Sequence, residues 1–162
     1  MNTKYICLAI LLYLPLSVSG QTSNRAQKIE EFGITNCDDW MAISENLVVK
    51  LREDESSLGY IVYYGGRVNI RPYDSPYTKK LPRRGEAFAR AAVIKSRYVE
   101  TFGINENRII LVNGGYRETW AVELWAAPRG HSWPTPTPTL QESAIRFRKG
   151  SVRKQEYTCW EL

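Results

Sequence analysis

Two glycine pairs are the first places where this sequence could do chemistry. In GYIVYYGGRVNIRP (59–72) an apolar run reaches Gly65-Gly66 and then Arg67; in RIILVNGGYRE (108–118) a second run reaches Gly114-Gly115, then Tyr116 and Arg117. Each pair reads as the end of a strand. Glycine supplies the positive φ of a tight turn, which by itself would account for either pair. A phosphate loop is excluded, because the residues after Gly66 lack the spacing of a Walker loop or a dinucleotide fingerprint. Pro72, Pro76 and Pro82 also separate the glycines from the next helix. Acid–base and metal chemistry find few residues. His131 is the sole histidine, too few for a zinc site of usual composition. Glu118 and Glu123 fall on a predicted hairpin, with Glu123 pointing away from Trp120 and Val122 into solvent, which makes a poor glycosidase dyad. The chain reads as non-catalytic, with no cofactor and no metal.

Periodicity supplies the elements that must position these residues. CDDWMAISENLVVKLRED places Trp40, Ile43, Leu47, Val48 and Leu51 at three- and four-residue spacing. That predicts an amphipathic helix over 38–52, capped by Asn36, with Asp38 and Asp39 in its first turn. GYIVYY is a strand apolar on both faces, which suits the interior of a helix-covered sheet. A proline-containing loop leads to a helix over 84–102 with Phe88, Ala91, Ile94, Tyr98 and Phe102 on one face and Gly103 as its stop. RIILVN is the next strand, and TWAVELWAAP, with Trp120, Val122 and Leu124 on one face, is expected to form a hairpin with it. A strand, helix, strand crossover is right-handed and parallel, so both glycine pairs emerge at the carboxyl edge of the sheet, where open sheets bind ligands.

The opening MNTKYICLAILLYLPLSVSGQ has Lys4, an apolar run from Tyr5 to Leu16, and small residues before Gln21, the layout of a secretory signal peptide. Its removal takes one lysine from a formal net charge of +5, and the remainder suits a single domain. Cys7 leaves with it. Cys37 and Cys159 remain as an even pair, expected to form a disulfide in an oxidising compartment, with two unrelated thiols as the alternative. The organisation is a signal peptide over 1–20, a folded domain over 28–128, and a Pro/Thr-rich linker with a basic tail over 129–162. Eight acids between Glu30 and Glu55 face nine bases between Arg67 and Arg97. This asymmetry describes two solvated faces or a basic surface for an anionic partner. Export and the lack of an aromatic-basic module argue against nucleic acid.

The succession EFGITNCDDWMAISENLVVKL, GYIVYYGG, ARAAVIKSRYVETFGINENRIILVNGG and AVELW resembles the OmpA-like domain of bacterial envelope proteins, over roughly Glu31 to Ala127. The best-matching parts are Arg90-Ala91, FGINENRI (102–109) and VELW (122–125). The resemblance implies an α+β fold, a βαβαββ sandwich whose mixed sheet carries its helices on one face. It also implies binding of the diaminopimelate stem peptide of peptidoglycan, with an Asp accepting the ligand ammonium and an Arg gripping its carboxylate. By position that Arg is Arg90, or Arg84 in a shifted register. The Asp is missing: where the family reads Gly, His, Thr, Asp, this chain reads Gly65, Gly66, Arg67, Val68, and the nearest downstream acid is Asp74. An Arg pair expected before V-E is replaced by Trp120 and Ala121. The candidate ligand-binding set is therefore Arg90, Arg67 and Arg84 with Gly65, Gly66, Gly114 and Gly115, aimed at an anion. The expected protein is a non-catalytic exported envelope protein, periplasmic or secreted, not membrane-spanning after signal removal, that associates with peptidoglycan, another anionic envelope component or an envelope protein. The alternative is an extracytoplasmic protein-binding module on the same scaffold, without peptidoglycan affinity, anchored by Trp120, Trp125 or Trp133. A small secreted hydrolase is a third reading.

Overall fold

A computed structural model of the chain describes residues 25–70, 78–152 and 157. The expected signal peptide, Asp74 and Cys159 lie outside the described residues. No described helix is long and apolar enough to cross a membrane.

The architecture is α+β. The helix expected from the Trp40 to Leu51 spacing is α1 (Cys37–Glu53); Asn36 caps it, its side chain accepting from the Asp39 N–H at 2.8 Å. Trp40, Leu47, Val48 and Leu51 are buried. The second helix, α2 (Glu86–Glu100), buries Ala91, Ile94 and Tyr98, and Gly103 follows it at φ 67°. Phe88 departs from its expected place on that face. It is half exposed and stands edge-on to Tyr63 at 6.0 Å.

Five strands complete the fold: β1 (Gln27–Phe32), β2 (Ser57–Ile70), the short β3 (Thr78–Lys80), β4 (Ile109–Thr119) and β5 (Ala121–Pro128). The central strand is β2, parallel to β4 on one side and antiparallel to β5 on the other, with β1 antiparallel to β5 at the edge. β3 pairs antiparallel with the last residues of β2. The parallel neighbours expected from the crossover are present, in register Gly59↔Ile109 to Tyr63↔Asn113. Both faces of β2 are covered, as its unbroken apolar run requires. Ile61 joins Val122, Leu124 and both helices in the main core, while Val62, Tyr64 and Ala121 form a second cluster on the opposite face.

Two expectations fail for one reason. The strands do not stop at the glycine pairs: β2 continues to Ile70 and β4 to Thr119. Nor do β4 and β5 form a hairpin ladder, since β2 lies between them. To pass from one side of β2 to the other, the chain crosses over β2 at Thr119-Trp120. There the Trp120 N–H donates to the Arg67 carbonyl at 3.0 Å, and a Cβ built on Gly66 would lie 2.3 Å from the Thr119 carbonyl carbon. Only glycine fits beneath that crossing. Gly65 lies under the Tyr116 ring and Gly114 under the Tyr64 ring, with built Cβ contacts of 2.7 and 2.5 Å. The pairs are sites of close approach inside strands.

The Pro/Thr-rich segment is not a free linker. Residues 133–140 run along the face that carries no helix: the Trp133 ring lies tilted against Tyr60 with ring centres 5.6 Å apart, and Pro138 packs over Gly115. The N–H groups of Thr139 and Leu140 donate to the Tyr116 carbonyl. An extended Pro-rich chain has no hydrogen bonds of its own, so it can follow a surface that offers them. Farther on, Tyr157 is buried in the main core, so the chain is back against the domain at that residue. Cys37 is not a free thiol. Its expected partner, Cys159, is two residues from Tyr157 in sequence, and the pairing stays an expectation. Thiol titration of the denatured, unreduced protein should find neither Cys37 nor Cys159 reactive; free thiol at both would rule the bond out.

Candidate functional site

At the carboxyl end of β2 and β4, against the first turn of α2, a cleft of about 110 Å³ is floored by Gly65 and Gly66 and walled by Tyr63, Phe88, Tyr116 and Phe147. A second cleft, of about 280 Å³, lies alongside and shares Pro82 with the first. Its charged lining is Arg67, Lys79 and Arg146 against Glu118. All three cations are exposed, and no salt bridge engages them among the described residues. The positive potential of the second cleft therefore has one local counter-charge.

The predicted site residues are not brought together. Gly65, Gly66 and Gly115 line the first cleft, Arg67 lines the second, and Gly114 is covered by Tyr64. Arg84 is mostly solvent-facing, bonded to Glu142 at 2.6 Å and lying 4.5 Å from the centre of the Phe147 ring. Arg90 is buried at 4% exposure, its Nη2 donating to Glu86 Oε1 at 3.1 Å. Arg67 and Arg90 do not share a cleft, because α2 turns Arg90 inward one helical turn after Glu86. The i, i+4 spacing of Glu86 and Arg90 is the signal that sequence reasoning passed over.

Glu86 is the carboxylate of this edge. It accepts from the Arg83 backbone N–H at 2.7 Å and from Arg148 at 3.3 Å as well as from Arg90. Burial pushes its pKa up, but the Arg83 N–H and the two guanidiniums outweigh burial and hold it below the ordinary glutamate value. It is already saturated with donors, so it makes a poor acceptor for an incoming ammonium.

The chain matches no protein-family model, no curated protein and no solved structure. The functional reading therefore rests on its own residues. Among those described, no group of three His, Cys, Asp or Glu is placed to hold a metal ion, and His131 sits in the turn after β5.

On the opposite face, Glu123 corrects another expectation. It is 2% exposed rather than solvated. Its carboxylate accepts from Arg117 at 2.6 Å and from Lys28, the Tyr64 hydroxyl and the Trp125 indole N–H at 3.0 Å each. Arg117 lies over the Tyr64 ring at 3.6 Å and also donates to the Thr137 carbonyl and hydroxyl, while the Thr137 N–H donates to Tyr64. This network ties the Pro/Thr strap to the sheet. Arg108, in the FGINENRI motif, is also structural: it donates to the carbonyls of Leu51, Asp54 and Ser57, fixing the end of α1 against β2.

Proposed function

We propose that this chain is an exported, non-catalytic domain of the OmpA-like kind that associates with peptidoglycan or another anionic envelope polymer. The observation that carries the reading is the cleft of Arg67, Lys79 and Arg146 against Glu118, adjoining the glycine-floored cleft at the carboxyl edge of the parallel strands. The order of elements, the parallel β2 and β4, and two helices packed into one core on a single face are compatible with the fold that the resemblance implies. An exposed cationic cleft favours carboxylate or phosphate oxygens by charge-assisted hydrogen bonds, each worth about 1.5–3 kcal/mol. A saturated Glu86 gives no matching hold on an ammonium, so free diaminopimelate should bind no better than a simple dicarboxylate. Trp125, whose exposure would have favoured a protein partner, is half-buried and bonded to Glu123.

Co-sedimentation with intact peptidoglycan sacculi tests the reading. The pelleted fraction should fall with added salt, since exposed charges are screened over about 8 Å at physiological ionic strength. It should also fall by roughly two orders of magnitude or more in affinity in an Arg67→Gln, Lys79→Gln double variant. Binding insensitive to both changes would remove this cleft from the interaction. Absence of binding would favour a protein-binding module, for which Trp133, 62% exposed, is the available anchor.

A further inference from the structure

The sheet ends on two unlike edges. At one, β1 carries Lys28, Glu30 and Glu31 and slips its register against β5 between Lys28 and Glu30. Charge and bulges are the usual guards of an unpaired edge, because both spoil it as a template for another strand. The other edge is β4, which pairs with no strand but β2 among the described residues. Its first half, IILVN (109–113), has neither charge nor proline, and its ladder with β2 runs unbroken from Gly59↔Ile109 to Tyr63↔Asn113. Ile110, Leu111 and Val112 are half-buried.

The chain itself shows that this edge accepts a partner, and in which direction. The Tyr116 carbonyl takes the N–H groups of Thr139 and Leu140, and Leu140 is bridged antiparallel to Tyr116. The next residues form the 3-10 turn Glu142–Ala144 rather than a strand, so residues 109–113 have no described partner on their outer side. Beside them, between β4 and α2, lies a groove of about 280 Å³ whose apolar lining is Ala92, Val99 and Leu111 and whose charges are Lys95, Glu100 and Glu106. Lys95 reaches Glu106 only at 3.5 Å, longer than a charge-assisted hydrogen bond.

We propose that β4 is a homodimer interface, pairing antiparallel with β4 of a second copy across a two-fold axis at Leu111. A two-fold makes the paired strands antiparallel by symmetry, the direction that Leu140 takes at Tyr116. With the axis at Leu111, that residue meets its own copy, and Ile110 meets Val112 of the second copy twice, so every central cross-strand pair is apolar. The same axis runs the two α2 helices in opposite directions, so the order Lys95, Glu100 on one meets the order Glu100, Lys95 on the other. A foreign strand would have to supply this chemistry; a second copy has it by construction. The sheet would then be continuous from one β1 to the other. The proposal does not depend on what the Arg67 cleft binds. If that cleft holds a polymeric anion, the dimer brings two such clefts and gains by bivalency.

Sedimentation velocity of the full chain over a concentration series tests this. A monomer–dimer equilibrium is expected with no larger species, because an isologous contact closes on itself. Hydrogen exchange of the parent protein locates the contact: the outward amides within 110–112 should exchange more slowly at a dimer-rich concentration than at a monomer-rich one. The amides of Thr139 and Leu140, bonded to Tyr116 in either state, should not change. Ile110→Lys should weaken association by roughly tenfold or more, since the two-fold applies the loss of an apolar contact twice. Ile110 belongs to neither core cluster, so the fold should survive the change. Val49→Lys, at an apolar residue of α1 that is 50% exposed, should leave the dimer intact. If Ile110→Lys does unfold, the exchange comparison on the parent decides alone. A monomer at every concentration overturns the proposal, and protected 110–112 amides in such a monomer would mean that the chain itself covers the edge. A dimer with unaltered exchange at 110–112 overturns it in favour of another surface, and open-ended oligomers overturn the two-fold.

Discussion

Replacing Glu123 with alanine should destabilise the domain by about 3–5 kcal/mol, the usual effect of removing one partner from a buried ion pair. The carboxylate is the common acceptor for Arg117, Lys28, Tyr64 and Trp125. Its loss strands a guanidinium that is 14% exposed, whereas Lys28, at 37%, can turn to water. Arg117 and the Tyr64 hydroxyl therefore carry most of the effect, and the low end of the range is expected because Arg117 also holds Glu31 and Thr137. Urea unfolding gives the magnitude. Hydrogen exchange gives the location: the Thr137 amide, which donates to Tyr64, should lose protection before the amides of Thr139 and Leu140, which donate to the Tyr116 backbone. A loss under about 1 kcal/mol would mean that the network does not hold the strap.

The same carboxylate sets an acid dependence. Burial raises its pKa, but hydrogen bonds from Arg117, Lys28, Trp125 and Tyr64 outweigh that and hold it below the ordinary value of 4.5. A group with a depressed folded pKa contributes stability that is complete above the unfolded value and is lost as pH falls through the folded one. The stability difference between the parent and Glu123→Gln should therefore be constant from neutrality down to about pH 5 and shrink below 4.5.

Much of the scaffold was legible because it follows from local spacing. Trp40, Leu47 and Leu51 can share a face only on a helix, and an apolar strand on each side of a helical segment implies the parallel crossover that β2 and β4 make. What local spacing does not encode is which neighbour a strand takes. The alternation of Trp120, Val122 and Leu124 correctly identified the core face of β5. It was silent on whether β5 pairs with β4 or passes to the far side of β2, and the short connection favoured the hairpin. The burial of Glu123 depends on that choice and on the strap, whose Thr and Pro residues look solvated until Tyr64, Tyr116 and Arg117 supply partners. At the candidate site, position in the family pattern made Arg90 a ligand group. Its neutralisation by Glu86 is written in the i, i+4 spacing, whereas its cover by Tyr157 comes from the far end of the chain.

Gly66→Ala should be the most damaging of the glycine substitutions, by about 4 kcal/mol or more, because its mechanism is a clash between backbones. A Cβ there would sit 2.3 Å from the Thr119 carbonyl carbon and 2.6 Å from both the Thr119 oxygen and the Trp120 nitrogen, and no side-chain rotation relieves those contacts. Relief requires lifting the crossing off β2. That would break the Trp120 N–H bond to the Arg67 carbonyl and withdraw the Trp120 ring from its edge contact with Phe32 at 6.3 Å. The same lift would shift the first residues of β5, which pair with β2 at Tyr64↔Ala121 and Tyr63↔Val122. In domains whose total stability is about 5–15 kcal/mol, such a loss leaves little folded protein. Gly65→Ala meets the partly exposed Tyr116 ring, which can swing aside, so about 1–3 kcal/mol is expected; Gly114→Ala meets the buried Tyr64 ring, held by Glu123 and Thr137, and should fall at the top of that range. Gly103→Ala meets nothing within 4 Å and should cost only the left-handed backbone strain of about 1–2 kcal/mol. Urea midpoints across the four variants should therefore rank Gly66 lowest, Gly65 and Gly114 next, and Gly103 nearest the parent. A Gly66→Ala protein as stable as Gly103→Ala would mean that the chain does not cross β2 at this residue, and the placement of β5 between β1 and β2 would have to be redrawn.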